Sequence, residues 1–248
     1  MSVLYSFYFL CLGLLLGSFY NVCIYRIPRE ESVAFPPSHC TSCNTRLKPL
    51  DLVPVLSYVF LKGRCRYCRE KISPRYALVE LFTGIAFLWL FLTYGITVEC
   101  LKYIVLISFL IVIGMIDYDT TDVYSITTYS GIAFGVIFIL INYFMGFEFK
   151  SYIYGGILAA ATIALIIIFT GGMGWGDFEI ALMCGLYLGF EKSIVLLFSS
   201  FIIGGVVGAF LILTKKKTKN DYIPFGPSIA SAALFTLLFG ERIISFYI

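Results

Sequence analysis

Long apolar stretches follow one another along most of the chain, separated by short polar turns. Eight can be read, at about 4–25, 76–94, 100–118, 126–147, 152–170, 178–190, 193–214 and 225–247, most of them near the ~20 residues a helix needs to cross a hydrocarbon core of roughly 30 Å. The sixth is short, which suggests a tilted or partly buried segment. A transmembrane barrel would instead show alternating strands of about ten residues, and no such alternation occurs. The pattern predicts an all-α polytopic membrane protein with about eight transmembrane helices. One polar interval, Arg26–Arg75, stands between the first and second of them. The expected division is a first transmembrane helix at 1–25, a polar module at 26–75 and a membrane core at 76–248.

Composition strengthens this reading. Of 248 residues, 60% are hydrophobic and only 13% charged, against roughly 25% charged in a soluble domain. Charge then orients the helices. Ten of the 18 Lys and Arg residues lie from Arg26 to Arg75, and Lys215, Lys216, Lys217 and Lys219 lie between the seventh and eighth segments. Basic residues mark the cytoplasmic side. Eight passes with the N-terminus outside put both regions inside. Lys102, Lys150 and Lys192 fall near the edges of outside loops. The first segment reads as a retained helix and not a cleaved leader, because MSVLYSFYFL has no basic start and no small-residue cleavage site follows. A net charge of +3 implies no nucleic-acid partner. The lysine cluster suits an anchor on anionic lipid of the bilayer.

Against this background two aspartates stand out. Asp117 ends the apolar run Leu101–Ile116, and Asp177 closes the turn Gly171-Gly172-Met173-Gly174-Trp175-Gly176. An ionisable group at membrane depth is costly and is a functional-site hypothesis by default. The plain alternative makes Asp177 an N-cap and Asp117 a solvated boundary residue. The orientation above puts both on the cytoplasmic face, where two carboxyls can work as an acid and base pair.

The polar interval carries a second chemistry. Cys40 and Cys43 form one C-x-x-C pair, and Cys65 and Cys68 form another after 21 residues. Two such pairs read as a four-thiolate zinc site. Disulfides are disfavoured in a cytosolic loop, and no thioredoxin-like pattern supports a redox pair. The remaining cysteines, Cys11, Cys23, Cys100 and Cys184, lie in or beside apolar segments as small core residues. Glu80 lies about one turn inside the second helix and needs a partner or water; an arginine partner and a catalytic role are both open. Gly17 and Ser18 suit close helix packing, Asn21 could line a polar cavity, and Pro224-Phe225-Gly226-Pro227 reads as a helix start. With a single histidine, His39, a Ser/His/Asp triad is nearly excluded. No internal repeat is read.

Taken together, these residues resemble the bacterial type IV prepilin peptidases, intramembrane aspartyl enzymes of the G-x-G-D type. The likeness rests on Gly17-Ser18-Phe19-Tyr20-Asn21, Arg26-Ile27-Pro28, the paired C-x-x-C motifs, and Arg75-Tyr76 with Leu78-Val79-Glu80-Leu81. It continues through Ile116-Asp117-Tyr118-Asp119, Gly172-Met173-Gly174-Trp175-Gly176-Asp177-Phe178 and Pro224-Phe225-Gly226-Pro227. The resemblance implies catalytic Asp117 and Asp177, with Gly174, Gly176 and Glu80 supporting loop or substrate, and structural zinc on Cys40, Cys43, Cys65 and Cys68. It implies cleavage of prepilins or pseudopilins after a glycine at the cytoplasmic border of the inner membrane. It also implies methylation of the new N-terminus by S-adenosylmethionine.

Two positions depart from the family pattern. A Leu-Pro-Asp usually follows the first aspartate, but here that stretch reads Val123-Tyr124-Ser125, with Asp122 three positions earlier than the usual acid. The position two after the second aspartate is often basic, but here it is Glu179. A transporter or channel using the acids as a cation relay is the alternative from another class, though relay acids belong near the membrane midplane. A protease without the transferase is the other.

Overall fold

The computed structural model describes residues 2–218 and 221–247, so Lys219 lies outside the described residues. Helices account for nearly all of the regular structure: α1 Ser2–Arg26, α2 Leu56–Phe60, α3 Pro74–Tyr94, α4 Val98–Thr120, α5 Ser125–Phe144, α6 Lys150–Thr170, α7 Trp175–Leu188, α8 Phe190–Leu213 and α9 Gly226–Tyr247. Among the described residues no strand forms, and two isolated bridges join single residue pairs. Local signals set several ends. The Ser73 hydroxyl accepts the Arg75 N–H at 3.3 Å and Pro74 opens α3, a cap and a preset φ at the position that needs neither donor. Gly171, at φ +60°, ends α6 and starts the glycine-rich turn.

Seven of these helices are long and apolar enough to cross a membrane. Helical form is what such segments require, because hydrocarbon offers no partner for a free N–H or C=O. Their outer faces expose Phe7, Leu92, Phe144, Phe169 and Leu213. That much apolar surface would drive association in water and suits lipid. The protein is therefore a multi-pass membrane protein. The exception is α7, whose 14 residues reach only about 21 Å. It matches the short sixth segment of the sequence, but starts earlier, at Trp175, and so takes Asp177 inside the helix.

The chain forms two compact units, Met1–Ile104 and Val105–Ile248. In the first, α1 packs along α3. Gly17 permits this, since a Cβ there would lie 2.8 Å from the Glu80 backbone. Asn21 ties the pair by donating to the Tyr76 carbonyl at 2.9 Å. In the second, α7 is surrounded by α5, α6, α8 and α9. Ile180, Met183, Cys184 and Tyr187 on it are fully buried. The Tyr187 hydroxyl donates to the Gly131 carbonyl of α5 at 2.8 Å. Against α6 the two backbones nearly touch: a Cβ on Gly155 would lie 2.5 Å from the Gly189 carbonyl carbon and 2.8 Å from the Gly185 oxygen. Small residues drive such contacts where lipid removes the hydrophobic incentive. A helix too short to span is thus held among four longer ones.

Candidate active site and metal centre

The four cysteines of the polar interval converge. The sulfur atoms of Cys40, Cys43, Cys65 and Cys68 all lie within 4.8 Å of one another, and Cys40 and Cys68 are 3.9 Å apart. A zinc ion bonded at about 2.3 Å to four thiolates separates them by roughly 3.8 Å. The donor set and spacing therefore fit a tetrahedral metal. Each pair sits on the same turn. Cys40 N–H donates to Thr45 C=O at 3.0 Å, Asn44 N–H to Cys40 C=O at 2.8 Å, and Leu47 N–H to Ser38 C=O at 2.9 Å. The equivalents are Cys65 to Glu70 at 2.8 Å, Arg69 to Cys65 at 3.1 Å and Ile72 to Gly63 at 2.8 Å. Asn44 and Arg69, directly after each second cysteine, both have positive φ, at 55° and 63°. The segment is therefore a structural repeat, which corrects the expectation of none. The sequence conceals it because the two turns share little beyond their cysteines.

Charge within the cluster also favours a cation. Hydrogen bonds from the Thr45 side chain and backbone hold the Cys43 thiol down at about 6. Cys68 goes the other way, to about 12: the bond from Glu70 N–H is outweighed by burial and by the sulfur atoms of Cys65, Cys43 and Cys40. Four sulfurs this close cannot all ionise alone, and a divalent ion removes the conflict. Beside them Asp51 braces the fold. Burial alone would push its pKa up, but the Arg66 guanidinium at 2.5 Å, the Lys48 N–H at 3.1 Å and the Tyr67 hydroxyl at 3.1 Å hold it below the usual carboxylate range. Glu80 lies at the base of this segment. Its partners are the Val55 N–H at 2.7 Å and the Ser18 hydroxyl. It thus pins the loop, whose Val55 has φ +59°, onto α3 and α1.

The second centre lies at one end of the other unit. Asp117 is the fourth residue from the end of α4, and Asp177 is the third residue of α7. Each is only 2% exposed. Asp117 accepts the N–H of Gly226, the first residue of α9, at 2.8 Å. Asp177 accepts the N–H of Gly174 at 3.1 Å. Both carboxylates therefore face helix N-termini, where positive partial charge stabilises anions. The N-cap is Gly174, so Asp177 is not the cap residue; its carboxylate reaches back as in a capping box. Burial also excludes the reading of Asp117 as a solvated boundary residue. Neither acid is mid-helix, which is where a cation relay would place it.

Asp177 opens onto a cavity of about 470 Å³ lined by Thr121, Asp122, Val123, Gly174, Trp175, Gly176 and Tyr222. The glycines have different parts. A Cβ on Gly176 would run into the Val123 side chain, so this glycine lets α7 approach the loop after α4. A Cβ on Gly174 would lie 3.3 Å from the Tyr222 hydroxyl, so here the absent side chain leaves room within the cavity. Tyr222 was not singled out by sequence. Its phenol is pushed above its usual range by burial first, then by the charges of Asp177, Asp117 and Asp122. One tyrosine thus senses all three acids. Asp119 is exposed and outside the cavity wall, whereas Asp122 is on it. Gly226 was also missed as a site residue, although the Pro-Phe-Gly-Pro run marked its position. A Cβ on it would run into the Asp117 carboxylate.

The two departures from the family pattern touch each other. The Ser125 hydroxyl donates to Glu179 at 3.3 Å, and the Thr128 hydroxyl makes a second, short bond to the same carboxylate. Glu179 thereby joins α7 to the start of α5, two residues on from Asp177.

Comparison with known proteins agrees with this geometry. The model for the bacterial peptidase A24 N-terminal domain matches residues 11–94, and that for the type IV leader peptidase family matches residues 104–209. A prepilin leader peptidase/N-methyltransferase of Bacillus subtilis (strain 168) is 34% identical, with 100% of this chain and 98% of that protein covered. The chain belongs to the type IV leader peptidase family. Proteins of the same name from Neisseria gonorrhoeae and Pseudomonas putida are 33% and 30% identical, covering 88% and 94% of this chain and 85% and 90% of theirs. No solved structure matches the chain. Within the family, the first match ends in α3 and the second begins in α4.

Proposed function

We propose that the protein hydrolyses the leader peptide of type IV prepilins or pseudopilins, after a glycine, with Asp117 and Asp177 as the catalytic pair. It then methylates the new N-terminus with S-adenosylmethionine. The observation that carries this reading is the placement of two buried carboxyls at helix ends in a leader peptidase, one of them, Asp177, on the wall of a cavity of about 470 Å³. Two neighbouring carboxyls share charge poorly, so one keeps a proton while the other ionises. The ionised carboxylate takes a proton from water, whose oxygen attacks the scissile carbonyl carbon. The protonated carboxyl polarises that carbonyl and gives its proton to the leaving nitrogen as the C–N bond breaks. No covalent intermediate forms. The N–H groups of Gly226 and Gly174 keep the acids oriented.

Methyl transfer follows different chemistry. The lone pair of the neutral N-terminal amine forms the N–CH3 bond, the S–CH3 bond breaks with its electrons left on sulfur, and the amine releases a proton. It needs positioning and no water-activating pair. A zinc ion on Cys40, Cys43, Cys65 and Cys68 would hold the 26–75 module folded, leaving helix 1–25 and the 76–248 core to the membrane. The clustered Lys and Arg residues support an orientation with the N-terminus outside and both centres toward the cytoplasm of a bacterial inner membrane. The test is incubation of the purified protein with a prepilin, with and without S-adenosylmethionine, followed by intact mass. Loss of the leader without the donor, and loss of the leader plus gain of one methyl with it, are expected. An unprocessed prepilin would overturn the reading.

A further inference from the structure

One stretch of the polar interval Arg26–Arg75 is not polar. Residues 49–61 (PLDLVPVLSYVFL) carry a single charged side chain, Asp51, whereas the other 37 residues of the interval hold thirteen. Asp51 is turned inward, its side chain 3% exposed and paired with Arg66. The apolar residues go the other way. Leu56, Val59 and Phe60 are 55%, 62% and 80% exposed, and at spacings of three and four they share one face of α2. Leu50, ahead of that helix, is exposed as well. So many large apolar side chains on one short stretch mark an interaction surface.

Glu80 fixes the depth of this stretch. The Val55 N–H donates to it at 2.7 Å, and Ser18 bonds the same carboxylate. Glu80 is the seventh residue of α3, roughly 9 Å along the axis from its start, and Ser18 stands eight residues, roughly 12 Å, before the end of α1. The 21 residues of α3 extend roughly 31 Å, hardly more than the hydrocarbon core of roughly 30 Å. At the same level Phe19 on α1 and Leu78 and Phe82 on α3 are exposed, as lipid-facing residues are. The start of α2 is therefore below the membrane surface and not above it. Its backbone tolerates that position: Leu52, Ser57, Val59 and Leu61 donate to carbonyls of the same stretch, and Val55 to Glu80. Hydrocarbon would offer them no other partner.

We propose that residues 49–61 are a re-entrant lipid-binding segment. Leu50, Leu56, Val59 and Phe60 sit at the boundary of headgroups and acyl chains, and the exposed Lys48, Lys62 and Arg64 at the two ends of the stretch reach back to the phosphates. The partner is the phospholipid bilayer because the apolar face stands level with the lipid-facing residues of α1 and α3 and is bracketed by cations. Long basic side chains bridge such a depth by extending their charged ends to the surface. Elements that lie in a membrane interface sink roughly 5–10 Å, the depth at which Glu80 holds Val55. The segment separates the two cysteine pairs in sequence, so its insertion holds both turns at one height against the membrane. The inference uses the chemistry of neither centre.

Two measurements test this, both on the full-length protein in vesicles of phosphatidylethanolamine and phosphatidylglycerol. In the first, a phospholipid with a photoreactive group on its acyl chain is activated and the unaltered protein is digested. Label is expected on peptides from 49–61 as well as on those of α1 and α3, and not on 27–48 or 64–73. Labelled α1 and α3 with an unlabelled 49–61 would overturn the proposal, and a cross-link from that stretch to a second chain would give the face to another copy instead. In the second, Phe60→Trp puts a reporter at a side chain that is mostly exposed. Its emission, taken as the difference from the unaltered protein with its two tryptophans, should be shifted to the blue of tryptophan in water. Bromine on the acyl chains should quench it, and aqueous iodide should not. Quenching by iodide and not by bromine would place the segment in water and refute the insertion.

Discussion

The two polar centres of this protein are built in opposite ways. The cysteine cluster is local: two turns, each closed by hydrogen bonds within ten residues, present four sulfurs to one point. The aspartate pair is assembled from afar. Asp117 depends on an N–H 109 residues away, on Gly226, and Asp177 sits on a short helix packed against four others. A local site can be stabilised by one ion and survive much change around it. A site made of helix ends inherits every error in how the helices pack. The contrast predicts sharp, chemical failure when a ligand or acid is removed, and graded failure when the scaffold of the dyad is disturbed.

The hardest break is removal of either acid. Asp117→Asn and Asp177→Asn keep the size of the side chain and remove the ionisable proton. Each should lower cleavage more than about a thousandfold, by analogy with the loss of one member of a catalytic set, while the variants insert and fold. A mass-shift assay on a prepilin measures this, and near-normal processing by either would dissolve the pair. Asp177→Asn should still methylate a synthetic, already trimmed N-terminal peptide, because that reaction uses no carboxyl pair. Asp122→Asn, on the cavity wall, should cost less than either, and Asp119→Asn less again.

The matching break in the other centre is Cys40→Ser with Cys43→Ser. Elemental analysis of the unaltered protein should give about one zinc per chain, and the double variant almost none, because a closed structural site needs all four ligands. Methylation should fall at least as much as cleavage. Disulfides at these cysteines under native conditions, found by mass spectrometry, would contradict the metal assignment.

The contrast between local and assembled sites also explains what could be read in the sequence. Runs near 20 residues reveal spanning helices because membrane thickness fixes their length, and the C-x-x-C spacing reveals a four-sulfur cluster because its geometry is contained in two turns. Asp117 and Asp177 were legible as misplaced charges and through the family's motifs. Their partners were not. Nothing in Gly226 or Tyr222 alone announces a contact with an acid more than forty residues away, and that contact exists only once the helices pack. The N-cap reading of Asp177 failed for a smaller reason: α7 begins at Trp175, inside the glycine-rich stretch, so the cap falls on Gly174. The arginine considered for Glu80 gave way to a backbone N–H and a serine for the same cause, since Val55 reaches it only through the fold of the intervening loop.

Disturbing the scaffold without touching an acid should give intermediate effects. Gly226→Ala places a methyl against the Asp117 carboxylate and must push it or α9 aside. A displacement near 1 Å can cost about a hundredfold in rate, and that is the expected loss in kcat/KM, with both acids still present. Wild-type rates in this variant would show that the Gly226 contact does not position the acid. Tyr222→Phe should cost about tenfold. Its phenol, held protonated by burial and by three nearby acids, is a neutral donor at the edge of the cavity. The loss should appear chiefly in kcat, and a change confined to KM would instead make Tyr222 a substrate contact.

The smallest expected effect tests the site at its one unusual pairing. Where the family pattern has an acid after the first aspartate and a base two positions after the second, this chain has Ser125 and Glu179, and the two are hydrogen-bonded. In this chain the two departing positions thus make a single hydroxyl–acid contact between α5 and α7. Ser125→Asp alone sets two carboxylates side by side and should destabilise. Glu179→Lys alone loses the bonds from Ser125 and Thr128 and leaves a cation without its acid, and should destabilise too. The double variant restores an opposite-charge pair. Contacting residues couple by roughly 0.5–3 kcal/mol, so the double variant should melt higher than the sum of the two single losses requires. The shift should also appear in cleavage, because Glu179 lies two residues from Asp177 on the same helix. Additive melting temperatures and additive rates would mean that the two positions changed independently, and that the contact between them does not hold α7 in place.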